Sequence, residues 1–207
     1  MDRGNTKQEI LDAALDLFSI KGYEATSLSM IAAAVGIRKA SLYSHFENKQ
    51  AILDALVQEV LAQYNSRSLF ARTAAPGTDT ALTPEAAADL IREQVRFILH
   101  TPLVSKARKM LVIEQFQNPE LSALQTKQNY SDVMQYFVGL MQGLIRRGVL
   151  AAEDPEIMAA QLCLPISVWI NLCDREPDRE SEVMDLIGRH TAQFFRAYQP
   201  KAEGPHE

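Results

Sequence analysis

Three helix starts in this chain share one device, a capping residue, then proline, then an acid: Thr83-Pro84-Glu85, Asn118-Pro119-Glu120 and Asp154-Pro155-Glu156. The cap side chain can bond free amides of the first turn, proline has no amide there to leave unbonded, and the acid suits the positive end of the helix dipole. A chain punctuated this way is committed to helices through its second half. The spacing predicts helices near 84–100, 104–117, 119–147, 155–174 and 179–198, the long one broken at Gly139 or Gly143. No run of useful length alternates as a strand would, so the expected class is all-α.

The first half reads the same way. Thr6-Lys7-Gln8-Glu9 has the form of a capping box, which starts a helix at about Lys7, and Ile10, Ala13, Ala14, Leu17 and Phe18 make its apolar stripe up to a stop at Gly22. A short helix over Leu28 to Val35, capped by Thr26 or Ser27, ends at Gly36, and a third runs from Lys39 to Phe46. Leu42 and Phe46 of that third helix close a small core with Ile10, Leu17, Phe18 and Ile31, which turns Lys39, Tyr43 and Ser44 outward, flanked by Ser41 and His45. Asn48 caps a long fourth helix whose stripe, Ile52, Leu53, Leu56, Val57, Val60, Leu61 and Tyr64, continues towards Phe70. The stretch from Thr73 to Pro84 has loop composition, and the tail from Pro200 is expected to be disordered.

Charge sharpens the picture. The chain carries 21 Lys and Arg against 26 Asp and Glu, a formal net of −5. Residues 1–49 hold six of each sign, so all of the excess acid lies beyond them, and from Gly36 to Lys49 the cations Arg38, Lys39 and Lys49 face Glu47 alone. An acidic body thus carries a locally positive tip. The polar start and the shortness of the apolar run from Leu162 to Cys173 lead to a cytoplasmic expectation without a membrane span. Cys163 and Cys173 match neither a CxxC nor a zinc pattern, so buried thiols are favoured over a redox pair; no metal and no cofactor is implied.

Two short helices joined at a glycine, supported by an earlier helix, have the shape of a helix-turn-helix unit whose last helix can enter the major groove of DNA. Arg38 and Lys39 suit phosphates or guanine edges, Ser41 and Ser44 suit bases or backbone, and Tyr43 and His45 can bond phosphate. A polar outer face is also what any small helical subdomain presents, and spacing alone leaves both readings open.

The run "ILDAALDLFSIKGYEATSLSMIAAAVGIRKASLYSHFENKQAILDAL", Ile10 to Leu56, resembles the N-terminal domain of the TetR family of bacterial transcriptional regulators. "AALDLFSIKGY", "TS" before "IAAAVGI", and "SLYSHFENK" running into "AILDAL" coincide in order. The resemblance implies a homodimer that brings two readers to a palindromic double-stranded DNA operator, with a small-molecule effector domain behind. It gives Lys39, Ala40, Ser41, Tyr43, Ser44 and His45 the recognition positions, Thr26 and Ser27 phosphate contacts, and Lys49, a DNA-binding residue near the backbone on the far side, the place of the lysine that opens the fourth helix. Where similar sequences have a serine-like cap this chain has Arg38, which then is either a poorer cap or an added DNA contact.

The domains expected are therefore 1–49, the reader; 50–199, a helical ligand-binding and dimerisation body; and 200–207, the tail. Candidate effector contacts are Tyr64, Phe97, Met110, Ile113, Glu114, Phe116, Tyr130, Met134, Phe137, Trp169 and Asn171, with plain core the commoner role for aromatics and methionines at helical spacing. Glu114, set among Leu111, Val112 and Ile113, is assigned either to a ligand or to an ion pair with Lys109, Arg108 or Arg92. The last two helices are expected to form the dimer seam through Cys163, Val168, Leu172, Leu186, Ile187, Phe194 and Phe195, with Pro165 kinking the first of them. No phosphate loop, HExxH or GxSxG occurs, and His100 and His190 have no neighbouring catalytic partner, so an enzyme is not expected. A helical adaptor that binds protein in place of DNA is the remaining rival.

Overall fold

The computed structural model describes residues 3–67 and 83–200, with side chains from residue 5 onward. Ten α-helices and no strand occur among these: α1 (Arg3–Lys21), α2 (Leu28–Val35), α3 (Lys39–Leu42), α4 (Lys49–Arg67), α5 (Pro84–His100), α6 (Pro102–Glu114), α7 (Pro119–Thr126), α8 (Asp132–Arg146), α9 (Pro155–Arg175) and α10 (Glu180–Ala197). The helix starts follow the local chemistry. Thr83 Oγ1 accepts the Ala86 amide at 3.2 Å, Asn118 Oδ1 accepts those of Glu120 and Leu121 at 3.0 and 3.1 Å, and Asp154 Oδ1 accepts those of Glu156 and Ile157 at 2.9 and 3.3 Å. Asn48 Oδ1 does the same for Ala51 at 2.8 Å and opens α4.

Four details of the sequence reading need correction. Helix α1 begins at Arg3, so Thr6 lies inside it and cannot act as its cap; Glu9 instead accepts from the Asn5 amide side chain at 2.7 Å. The third helix keeps regular α geometry only over Lys39–Leu42 and continues as tighter turns to Phe46, with the His45 and Phe46 amides both on the Leu42 carbonyl. Helix α6 covers Pro102–Glu114, because Pro102 supplies its first residue. The long helix is interrupted at neither Gly139 nor Gly143, where glycine is merely a weaker helix former, but by a π-helical turn over Lys127–Ser131. In that turn the Asp132 amide bonds the Lys127 carbonyl, five residues back, and Lys127 Nζ pairs with Asp132 Oδ2 at 2.6 Å. Phe70, the segment 73–82 and the tail 201–207 lie outside the described residues.

The chain divides into two compact units, and the division does not follow the boundary drawn at 49/50. The first is Met1–Arg72 with His100–Gln125; the second is Thr73–Leu99 with Thr126–Glu207. In the first, Ile10, Ala14 and Phe18 of α1 meet Ile31, Leu42, Phe46, Ile52 and Leu56, with Met110 and Leu111 of α6 and Leu121 of α7 in the same core. Leu17, expected in that core, is only partly buried against it. Helix α6 therefore packs with α1 and α4. In the second unit, Ile91 and Val95 of α5, Met141 and Leu144 of α8, Met158 and Leu162 of α9, and Val183 and Ile187 of α10 are buried. Among the described residues α9 is the one helix long and apolar enough to cross a membrane by length and composition. Its Met158, Ala159, Leu162, Cys163 and Ile166 lie in the core of this unit, with Pro165 inside the helix.

Candidate nucleic-acid interface

The interface is built on a turn that glycine makes possible. Ser27 caps α2 by accepting the Met30 amide at 3.2 Å. At the other end Gly36 takes φ +77°, the left-handed region that a side chain disfavours, and its amide bonds the carbonyls of Ala32 and Ala33. The Ile37 amide returns to Ala32 at 2.9 Å, and the chain leaves in the direction of α3. Leu42 and Phe46 are buried beneath it. Arg38, Lys39, Ala40, Ser41, Tyr43 and Ser44 consequently lie exposed together, with His45 half-buried at the edge.

One polar group here is already oriented. Ser44 Oγ donates to the Ser41 carbonyl at 2.7 Å. Arg38 stands at the cap position with extended backbone (φ −72°, ψ 144°) and makes no side-chain capping bond, so its guanidinium is not held by the helix start. Arg38 and Lys39 are cations on the surface, with Glu47 exposed nearby in sequence. The arrangement offers two cations, two hydroxyls, a phenol and an imidazole on one short strip, a donor set matched to phosphates and base edges.

Two residues assigned to DNA are engaged elsewhere. Thr26 is 2% exposed and its hydroxyl donates to the Gly22 carbonyl at 2.8 Å, so it braces the α1–α2 turn and does not face outward. Lys49 donates to the carbonyls of Tyr23 at 2.7 Å and Glu24 at 3.4 Å, while its ammonium lies 4.0 Å from the centre of the Tyr23 ring. The same ring meets Phe18 edge-on at 5.3 Å, and its hydroxyl donates to Gln50 Oε1 at 3.0 Å. Burial pushes the Tyr23 phenol up from its ordinary pKa, and the carboxylates of Glu24, Asp54, Glu120 and Glu114 push it further. The ties from Lys49 and Gln50 span 25 to 27 positions, and nothing in a local window marks them, whereas the Thr26 bond to Gly22 spans four.

The effector candidates divide between the units. Tyr64, Met110, Ile113, Glu114 and Phe116 belong to the first; Phe97, Tyr130, Met134, Phe137, Trp169 and Asn171 belong to the second. Met110, Met134 and Phe137 are core residues, and Phe97, Trp169, Asn171 and Tyr64 are half-buried. Phe116, at 91% exposure, and Tyr130, at 52%, stand on the surface. Ile113, at 38%, is also open to solvent. Glu114 forms none of the ion pairs expected of it; its Oε1 accepts the Glu24 amide at 3.3 Å. Arg92, one of the expected partners, bonds the Met184 carbonyl and Asp89.

The seam residues also separate. Cys163, Ile187, Phe194 and Phe195 are buried by the chain itself, because the inner faces of α9 and α10 pack within the second unit. Phe194 and Phe195 meet edge-on at 5.9 Å, and Cys163 Sγ lies 3.7 Å from Met134 Sδ. Of the set, Val168 is exposed at 63%, and Leu172 and Leu186 are half-buried. Ile157, which the sequence reading did not select, is 53% exposed on α9 and extends the strip through Leu164, Val168 and Leu172.

Comparison with known proteins bears on the N-terminal unit most directly. Residues 10–56 match the family model described as bacterial regulatory proteins, tetR family. Over 156 residues, 74% of this chain and 73% of the relative, the sequence is 22% identical to the fatty acid metabolism regulator protein of Bacillus subtilis strain 168. Over 52 residues it is 50% identical to the biofilm operon icaADBC HTH-type negative transcriptional regulator IcaR of Staphylococcus aureus strain Newman, a match covering 25% of this chain and 28% of that protein. The solved structure of the flavonoid-responsive regulator FrrA superposes with a TM-score of 0.64 at 25% identity, covering 96% of this chain and all of that one.

Proposed function

We propose, for a chain that belongs through its residues 10–56 to the TetR family of bacterial regulatory proteins, a homodimeric repressor of transcription that reads a palindromic operator and is released by a small molecule. The exposed strip from Arg38 to Ser44 carries this reading: buried Leu42 and Phe46 fix the segment from within and leave its cations and hydroxyls outward. Ser27, Arg38, Lys39, Ala40, Ser41, Tyr43, Ser44 and His45 are the contacts it assigns to DNA. Repression follows the negative regulator to which the N-terminal domain is similar.

Two such strips must meet successive major grooves roughly 34–36 Å apart, which requires a second copy. The exposed apolar face of α9, with Ile157 at one end and Val168 further along, supplies a surface of the kind that a two-fold partner covers. An effector that binds better to a mis-spaced dimer lowers DNA affinity by that difference, and no covalent step is needed. Similarity to a flavonoid-responsive regulator and to a regulator of fatty acid metabolism supports an apolar or aromatic effector, held in the helical body that follows the reader.

Selection of bound sequences from a random DNA pool by the purified protein tests this. A palindromic motif, bound by the dimer with steep salt dependence, is the expected result. A folded dimer that enriches no motif, before and after refolding to strip bound ligand, would favour a protein-binding adaptor.

A further inference from the structure

The last residue of α6 reaches into the turn between α1 and α2. Glu114 Oε1 accepts the Glu24 amide at 3.3 Å, and it lies so close to Gly22 that a Cβ there would collide with it. Gly22 is at φ +86°, so the turn depends on glycine both for its backbone and for the room it leaves the carboxylate. Glu114 is 2% exposed, and its Oε2 has no hydrogen-bond partner. Withdrawing a carboxylate from water with one oxygen unbonded is unfavourable, and an apolar side chain of similar volume would avoid that cost. Fold stability therefore does not account for an acid at this position.

The same turn is held from its other side. Lys49 of α4 bonds the carbonyls of Tyr23 and Glu24, while Glu114 of α6 bonds the Glu24 amide. The Gly22 carbonyl in turn receives the Thr26 hydroxyl, immediately before α2 begins. We propose that Glu114 is a positioning residue for DNA binding: its carboxylate fixes the Gly22–Glu24 turn, and through it the direction in which α2 and the recognition strip leave α1, at a cost to fold stability. This rests on the reading of that strip as the DNA reader.

The test uses the full chain, the operator that the wild-type protein selects, and two substitutions. Glu114→Met fills the space without an acceptor; it is expected to leave the thermal midpoint equal or higher, to weaken operator binding about tenfold, and to speed amide exchange at Glu24. Glu114→Gln keeps an acceptor oxygen and is expected to stay within about threefold of wild type in affinity, with the Glu24 amide still protected. A group with a merely structural role would move stability and affinity downward together. Equal operator affinity in wild type and Glu114→Met overturns the proposal, as does a joint loss of stability and affinity, or an equal loss of affinity in Glu114→Gln. If Glu114→Met does not fold, the role is structural and the proposal falls. A wild-type protein that selects no sequence removes the reader reading itself, a result visible before any variant is made.

Discussion

The ammonium of Lys49 lies 4.0 Å from the centre of the Tyr23 ring and donates to the Tyr23 carbonyl at 2.7 Å. A cation that its sequence context assigns to DNA thus holds the supporting turn of the reader. Lys49→Met should lower stability by about 1–2 kcal/mol, measured by urea unfolding, since both a cation–π contact and a carbonyl cap are lost. The slope of log affinity against log salt for the operator should stay unchanged. A slope smaller by about one would return Lys49 to the phosphate contacts.

Lys39 and Tyr43 make the opposite case. Both side chains are exposed, so Lys39→Ala and Tyr43→Ala should change unfolding by no more than about 0.5 kcal/mol. Operator affinity should fall in each, and for Lys39→Ala the salt slope should fall by about one, readable by fluorescence anisotropy at several salt concentrations. Sedimentation should show the dimer intact.

Helix caps give a prediction with an internal control. Asp154→Ala removes two capping bonds from α9 and should cost about 1 kcal/mol, and Ser27→Ala should cost a similar amount through α2. Thr101 occupies the cap position of α6 but makes no side-chain capping bond, so Thr101→Ala should be nearly neutral. Comparable losses in all three, measured by denaturant unfolding, would mean that these bonds are not what sets the helix starts.

Exposed and buried residues of α9 and α10 should respond differently. Val168→Asp should shift the proposed dimer to monomer by analytical ultracentrifugation while far-ultraviolet circular dichroism stays helical. Ile187, fully buried, should instead cost about 2–5 kcal/mol when truncated to alanine, whatever the protein concentration. A dimer that survives Val168→Asp would move the seam away from this face.

Burial pushes the Cys163 thiol up to about 11, from an ordinary value of 9.0. The native thiol should therefore react slowly with iodoacetamide at pH 8 and rapidly after unfolding. The sign for stability follows: below pH 9 both folded and unfolded forms are protonated, and between about 9 and 11 only the unfolded form gives up its proton, so stability should fall across that window. Cys163→Ala should flatten that part of the profile in urea titrations; an unchanged decline would assign it to other groups.

Legibility tracked the range of the interaction. Gly36, Asn48, Thr83, Asn118 and Asp154 act within four residues of themselves, and each was placed from the chain alone, while the cap of α2 was narrowed to Thr26 or Ser27, of which Ser27 makes the bond. Thr6 failed because a cap needs a non-helical residue, and the helix had already begun at Arg3. The interruption of the long helix was misplaced because glycine content ranks propensity, whereas the π turn depends on pairing across five residues at Lys127 and Asp132.

What the sequence by itself determined is the all-helical class, the helix starts after Asn48, Thr83, Asn118 and Asp154, and the strip from Arg38 to Ser44, because apolar period and capping chemistry are local and set which side of a short helix faces out. The tertiary structure alone decided which polar groups that strip keeps. Lys49 turns inward because the α1–α2 turn, 25 and 26 residues earlier, brings it carbonyls to bond, and Glu114 meets Glu24 across 90 residues of chain because α6 packs with α1 and α4. The same holds for α9 and α10, where the chain's own helices bury Ile187, Phe194 and Phe195 and leave Val168 and Ile157 exposed; periodicity marks an apolar stripe, but which part of it the chain covers is settled by packing.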